Sequence, residues 1–162
     1  MDTQTFRDTL AQFVTGVTVV ISGTGSSHQG MTVNSFTSVS LVPPLILFCA
    51  DNRAATLRAV KQSHRFTVSI LCEEQEDLSR RFAELGPQGD LFAQIRTAPA
   101  TKGIPYLIDS LGYLDCAVHN IIPAGDHHIV VGHVERLGRL NHGYPLIYFR
   151  HQYYRPVTSP PG

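Results

Sequence analysis

The chain of 162 residues carries no formal net charge, its 13 Lys plus Arg matching 13 Asp plus Glu, and only 16% of its residues are charged. That length suits one domain with a real core, and the sparse, even charge excludes both a basic nucleic-acid footprint and a disordered chain. Sparse charge also leaves apolar surface, and a subunit interface is a natural place to bury it.

The first segment, "MDTQTFRDTL", has neither a basic n-region nor an apolar h-region, so no secretory signal is expected. Phe6, Leu10 and Phe13 recur at i, i+4 and i+7 and predict an amphipathic helix that Gly16 ends. "VTVVIS" reads as a strand of β-branched residues, "GTGSSHQG" as a turn, and "MTVNSFTSVSLV" as a second extended run completing a hairpin. Pro43-Pro44 breaks the chain before the short apolar strand "LILFCA". "DNRAATLRAVKQS" predicts a helix with Asp51 or Asn52 as N-cap. The alternating "RFTVSIL" predicts a strand, and "EEQEDLSRRFAEL" a helix with Leu78, Phe82 and Leu85 on one face. "GPQGD" and the stretch from Thr97 to Tyr106 read as loops. "LGYLDCAVHNII" and "HHIVVGHVERL" are long strands joined by "PAGD", and "YPLIYF" is a last strand before a Pro-rich tail.

This gives six or seven strands and three short helices that do not alternate with them. The pattern points to an antiparallel barrel or sandwich with peripheral helices, not a doubly wound parallel sheet. With no repeat or internal boundary, one domain is expected, with a core over about residues 6–156 and a flexible tail at 157–162. No apolar run approaches the roughly 20 residues of a membrane span. Cys49, Cys72 and Cys116 are odd in number, far apart and set in apolar runs, so they read as buried free thiols of a reducing cytoplasm.

Three of the eight histidines fall in "GDHHIVVGHVE". His127 and His133 share a strand face, but six residues separate them by roughly 20 Å. Metal ligands must converge at about 2 Å, so no metal site is expected. No G-x-S-x-G elbow is present, and no cysteine has an activating neighbour in sequence. Asp126 adjoins His127, but neighbours on a strand point apart, so the pair reads as turn residues.

Two other stretches can bind a ligand. In "LFCADNRAATL" a buried strand runs through a polar turn into a helix, whose N-terminal amides could hold a phosphate with help from Arg53 and Thr56. An ordinary capped helix explains the same pattern, and Asp51 would repel a phosphate if it faced it. In "GMTVNSFTSVS" six of eleven residues carry a small polar group, so a flat ligand could approach the backbone. An edge strand with a solvated face reads equally well.

Taken in order, "FVTGVTVV", "GMTVNSFTSVSLVPPLILFC", "RFTVSIL", "GDHHIVVGHVE" and "PLIYFRHQYYRP" resemble the flavin reductase-like family, from about Phe6 to Pro156. The family supplies reduced flavin to two-component flavin-dependent monooxygenases. The resemblance implies an FMN-binding split β-barrel of Greek-key type, usually a homodimer. It implies hydride transfer from NADH or NADPH to FAD or FMN, and a separate oxygenase that receives the reduced flavin. By the same resemblance Thr32, Val33, Asn34 and Ser35 lie along the isoalloxazine ring, and Ser38, Val39 and Ser40 continue that contact. Oriented amides there would stabilise the anionic reduced ring. The turn Cys49, Ala50, Asp51 matches the approach to the ribityl-phosphate site, with Asn52, Arg53 and Thr56 as phosphate ligands. The chain departs from the pattern at Ala54, where many relatives carry a serine at that position or its neighbour. Phe82 matches an aromatic close to the flavin. His127 matches a histidine beside the nicotinamide, while Arg150 and Tyr153 match positions bordering its pocket. His128 and His133 match nothing and read as surface and strand residues. Two other functions remain on sequence alone: a flavin-binding electron-transfer module, and a ligand-binding barrel without catalysis.

Overall fold

The computed structural model describes residues 1–84 and 89–157, with the backbone alone at 89 and 90. Leu85, residues 86–88 of the expected loop and residues 158–162 of the expected tail lie outside the described residues. Helix α1 spans Thr3–Leu10, with the Asp2 carboxylate accepting from the Thr5 amide at 2.7 Å. It ends at Ala11, not at the expected Gly16, because Gly16 belongs to strand β1 (Thr15–Gly16). Strands β2 (Thr18–Thr24), β3 (Ser27–Val33), β4 (Thr37–Leu41) and β5 (Pro44–Asp51) follow. Then come α2 (Ala55–Ser63), β6 (Arg65–Ile70), α3 (Glu76–Ala83), β7 (Thr97–Pro99) and β8 (Pro105–Leu107). Strands β9 (Gly112–Ala124), β10 (His127–Arg139), β11 (Ile147–Phe149) and β12 (Gln152–Tyr154) complete the set. The described residues thus hold twelve strands, against the six or seven expected; short strands account for most of the difference.

Seven strands form one antiparallel sheet in the order β3-β2-β6-β9-β10-β5-β4. Here the expected hairpin needs correction. The run from Met31 to Val42 is two strands, and they stand at opposite edges of the sheet. Only residues 34–36 join them, a reach of roughly 14 Å at full extension. The sheet must therefore curl until its edges meet, which makes a split barrel. Ser35 fastens the seam: its hydroxyl accepts from the Cys49 amide at 3.0 Å and donates to the Cys49 carbonyl at 3.3 Å.

Strands β2 and β6 are buried on both faces, so "RFTVSIL" does not expose alternate residues as its pattern suggests. On one face Val20, Phe66 and Val68 pack with Phe48, Leu57 and Val130 inside the barrel. On the other, Val19 and Ile21 pack with Leu71, Phe82, Ile104 and Leu146. That outer face also carries hydroxyls. Thr67 donates to the Pro105 carbonyl at 2.6 Å, and Ser69 accepts from the Leu107 amide at 3.0 Å. They anchor β7 and β8, which pair as a small hairpin where a loop was expected. Strands β9 and β10 turn at Gly125-Asp126, so Pro123 and Ala124 belong to β9. Gly125 has φ +64, which the first position of a tight hairpin turn demands. No helix among the described residues is long and apolar enough to cross a membrane.

Candidate functional site

The C-terminal ends of β3 and β5, the first turn of α2, the last of α3 and the start of β10 enclose a cleft of about 340 Å³. Its walls include Thr32, Val33, Asn34, Ser35, Cys49, Asp51, Thr56, Phe82 and His127, so nine of the sequence-predicted residues converge. The floor is shaped by a glycine. A Cβ on Gly30 would stand 2.5 Å from the Phe82 ring, which is buried and packs edge-on to Phe92 at 5.7 Å. Gly in a strand interior marks such a close approach. Thr32 turns its hydroxyl to the Ser79 carbonyl at 2.5 Å, fixing α3 against β3.

One end of the cleft is the N-terminus of α2. The expected caps, Asp51 and Asn52, do not cap it; Ala54 is the N-cap, and among the described residues no side chain caps it. A helix start without a cap leaves donors aimed outward, which is an anion site in waiting. Ala55 and Thr56 stand on the cleft wall there. Asp51 also faces the cleft, but Arg53 neutralises it. The guanidinium reaches both carboxylate oxygens, at 3.1 and 2.8 Å, and the Arg53 amide adds a third bond at 2.8 Å. This pairing holds the Asp51 carboxyl far below the usual carboxylate range and raises the guanidinium's own pKa.

The β9–β10 turn stands beside it, and His127, which pairs with Asp51 across the strands, lies on the cleft wall. His127 Nδ1 lies 2.7 Å from Asp126 Oδ1, and that bond holds the Asp126 carboxyl below its ordinary value. The expectation that the two side chains diverge is thus corrected: Asp126 sits in the turn, where strand alternation does not apply. His128 is no idle surface residue either. Its Nδ1 lies 2.6 Å from Asn52 Oδ1, and Lys61 Nζ lies 3.1 Å from its Nε2. His133 stays in β10, opposite Leu45 and Ala117.

Several predicted residues fall elsewhere. Ser38, Val39 and Ser40 lie on edge strand β4, outside the walls of the cleft. Ala50 is buried in the barrel core. Arg150 has φ +48 and turns away, its amide on the Ala11 carbonyl and its guanidinium on Gln12 at 2.8 Å. Tyr153 lines a small adjoining cavity that shares Thr32, Asn34 and Ala83 with the cleft. Its hydroxyl lies 2.8 Å from Ser79 Oγ, with the Arg80 guanidinium 4.7 Å over its ring. Sequence reading missed Ser79 and Gly30, and singled out Ala54 only as a departure from the family pattern. For Gly30 the strand glycine was the available signal.

The walls fit a flavin. Small residues (Gly30, Ala54, Ala55, Ala83) leave a narrow slot, backbone lines its side, and open helix amides close one end. A split antiparallel barrel with such a slot defines a cofactor-binding barrel. The chain belongs to the flavin reductase like domain family, whose model matches residues 10–156. It is similar to the reductase subunit HsaB of a flavin-dependent monooxygenase from Mycobacterium tuberculosis, 39% identical over 155 residues, 94% of this chain and 82% of that protein. It is equally similar to the 4-hydroxyphenylacetate 3-monooxygenase reductase component of Thermus thermophilus, 39% identical over 154 residues, 95% of this chain and 97% of that one. Among solved structures, the Streptomyces globisporus NADH:FAD oxidoreductase in complex with NAD and FAD fragments matches with a TM-score of 0.91 and 34% identity, covering 99% of this chain and 96% of that one.

Proposed function

We propose that this chain is an NAD(P)H:flavin oxidoreductase that reduces FAD or FMN and passes the reduced flavin to a separate oxygenase. One observation carries the reading: a single cleft joins the open N-terminus of α2, the backbone run 32–35 and the buttressed His127. Hydride transfer from the nicotinamide to the flavin is chemistry the two cofactors supply when bound. The protein's task is to hold them. The first-turn amides of α2 and the Thr56 hydroxyl take the flavin phosphate. Arg53 removes the charge with which Asp51 would oppose it. The backbone of residues 32–35 offers its groups to the ring edge, and Phe82 fixes the floor beneath Gly30. His127, with Nδ1 held by Asp126, presents Nε2 to the nicotinamide side. Tyr153 borders that side through its shared cavity.

A homodimer in the cytoplasm is part of the same proposal. Phe13, Val14, Val39, Leu41 and Val42 all stand at least half exposed, apolar side chains that a second subunit would cover. All three cysteines are free.

The test is anaerobic. Protein at catalytic concentration with NADH and FAD or FMN should bleach the oxidised flavin band rapidly. His127→Ala should raise the KM for NADH by roughly tenfold, the worth of one good hydrogen bond, with flavin affinity unchanged. Tight flavin binding without nicotinamide-dependent bleaching would return the chain to an electron-transfer module.

A further inference from the structure

We propose that Asn52 is a positioning residue for His127, bolting the turn that carries the histidine to the turn that opens α2. The inference rests on the assignment of His127 to the nicotinamide side. By resemblance Asn52 belongs with the phosphate ligands, but its side chain is already committed. Nδ2 donates to the Gly125 carbonyl at 3.2 Å, Oδ1 lies 2.6 Å from His128 Nδ1, and the backbone amide donates to the Asp126 carbonyl at 3.0 Å. Both carbonyls belong to the two-residue turn between β9 and β10, so one residue grips both.

The neighbours fix the direction of every bond. An ammonium only donates, so Lys61 makes His128 Nε2 the acceptor, and the ring proton sits on Nδ1. That proton goes to Asn52 Oδ1, which leaves Nδ2 as the donor to Gly125. A continuous chain results: Lys61 on α2, His128, Asn52, the Gly125-Asp126 turn, and then the Asp126 carboxylate on His127. The same α2 supplies the open amides. The start of α2, on the phosphate side, and the histidine turn, on the nicotinamide side, are thereby one mechanical unit.

These bonds are largely exposed and individually contribute little to folding. Their effect is on position, and in a hydride-transfer site a displacement of about 1 Å can cost up to roughly a hundredfold in rate. A double-mutant cycle separates this role from phosphate binding. Asn52→Ala should raise the KM for NADH by about three- to tenfold and leave the flavin dissociation constant within about twofold. In the His127→Ala background the same change should move KM by less than about twofold, because residues acting as a unit are not additive. His128→Ala, which removes the support of Asn52 and its link to Lys61, should repeat the pattern at smaller size and guard against a misfolded Asn52 variant. Multiplicative effects on KM would overturn the inference. So would weaker flavin binding at unchanged KM, which would make Asn52 a phosphate ligand. A wild-type protein that bleaches no flavin with NADH or NADPH would instead overturn the function itself, and this inference with it.

Discussion

Two recesses meet at Asn34 and Ser35, and they are built from opposite materials. The cleft, about 340 Å³, is walled by small side chains, backbone and fixed hydrogen bonds. The groove on the other side, about 950 Å³, is walled by Leu10, Phe13, Val14, Phe36 and Tyr148, with Arg7 and His151 at its rim. A wall of oriented polar groups discriminates among small ligands; a wall of large exposed apolar side chains recognises another apolar surface. Size alone would choose the groove. On the proposed function, the cofactors take the smaller recess and a second subunit the larger one.

The sharpest way to break this division is Gly30→Val. The new Cβ would meet the Phe82 ring at 2.5 and 2.7 Å, and that ring is only 1% exposed, with no room to retreat. Overpacking of this kind costs about 1–3 kcal/mol. The floor of the cleft must lift, so flavin affinity should fall by about ten- to a hundredfold in a titration, while the association state stays as in wild type. Unchanged flavin affinity would remove the cleft from the site.

Phe13→Glu addresses the other recess. Phe13 is 75% exposed, so the isolated chain has little to lose. A carboxylate buried unpaired in an interface is costly, and the dimer constant should weaken by about tenfold or more in sedimentation equilibrium. Flavin binding per chain should hold. A wild type that sediments as a monomer at micromolar concentration would refute the subunit assignment.

A smaller effect separates the three thiols. Burial pushes Cys116 up to about 12, with the Asp115 charge adding to it, and burial also raises Cys72. Cys49 is half-buried and lines the cleft, so the expectation of three buried thiols holds for only two. A disulfide reagent should modify one thiol in the folded protein, and saturating flavin should slow that reaction several-fold. Equal reaction of all three, or no protection, would count against a flavin in this cleft.

Local features of this chain were legible in the sequence, and cross-strand ones were not. The apolar runs of β2 and β5, the helix after Arg53 and the tight turn at Gly125 follow from residue type. The flight of β4 to the far edge does not, because it depends on Ser35 bonding a strand fourteen positions away. Thr97 to Tyr106 looked like loop because two prolines stand in it. The hydroxyls that hold it, on Thr67 and Ser69, are more than 35 residues away in sequence. The cap of α2 was misplaced for a related reason: Asp51 and Asn52 have the right chemistry, but Arg53 and the Gly125 turn claim them. Within the site, small polar residues at 32–35 and His127 carried a signal, whereas Arg150 was drawn off by a backbone reversal at two positive-φ residues.

The smallest expected effect lies along β3 itself, whose C-terminal end lines the cleft. Its other end carries His28, packed beside Phe92 at a ring distance of 5.9 Å, with Nε2 buried and unpartnered among the described residues. Burial lowers this imidazole's pKa below its ordinary 6.5. Below about pH 6.5 an unfolded chain takes up a proton that the folded one refuses. The stabilising share of His28 is therefore complete above that pH and is lost as pH falls through the lower, folded value. His28→Phe removes the titration and keeps a ring against Phe92. The difference in melting temperature between variant and wild type should grow in the variant's favour as pH drops from 7 to 5, and should be constant above pH 7. A difference that stays flat over the whole range would mean that protonation at this end of β3 is no burden to the fold, and that polar isolation is confined to neither end of the strand.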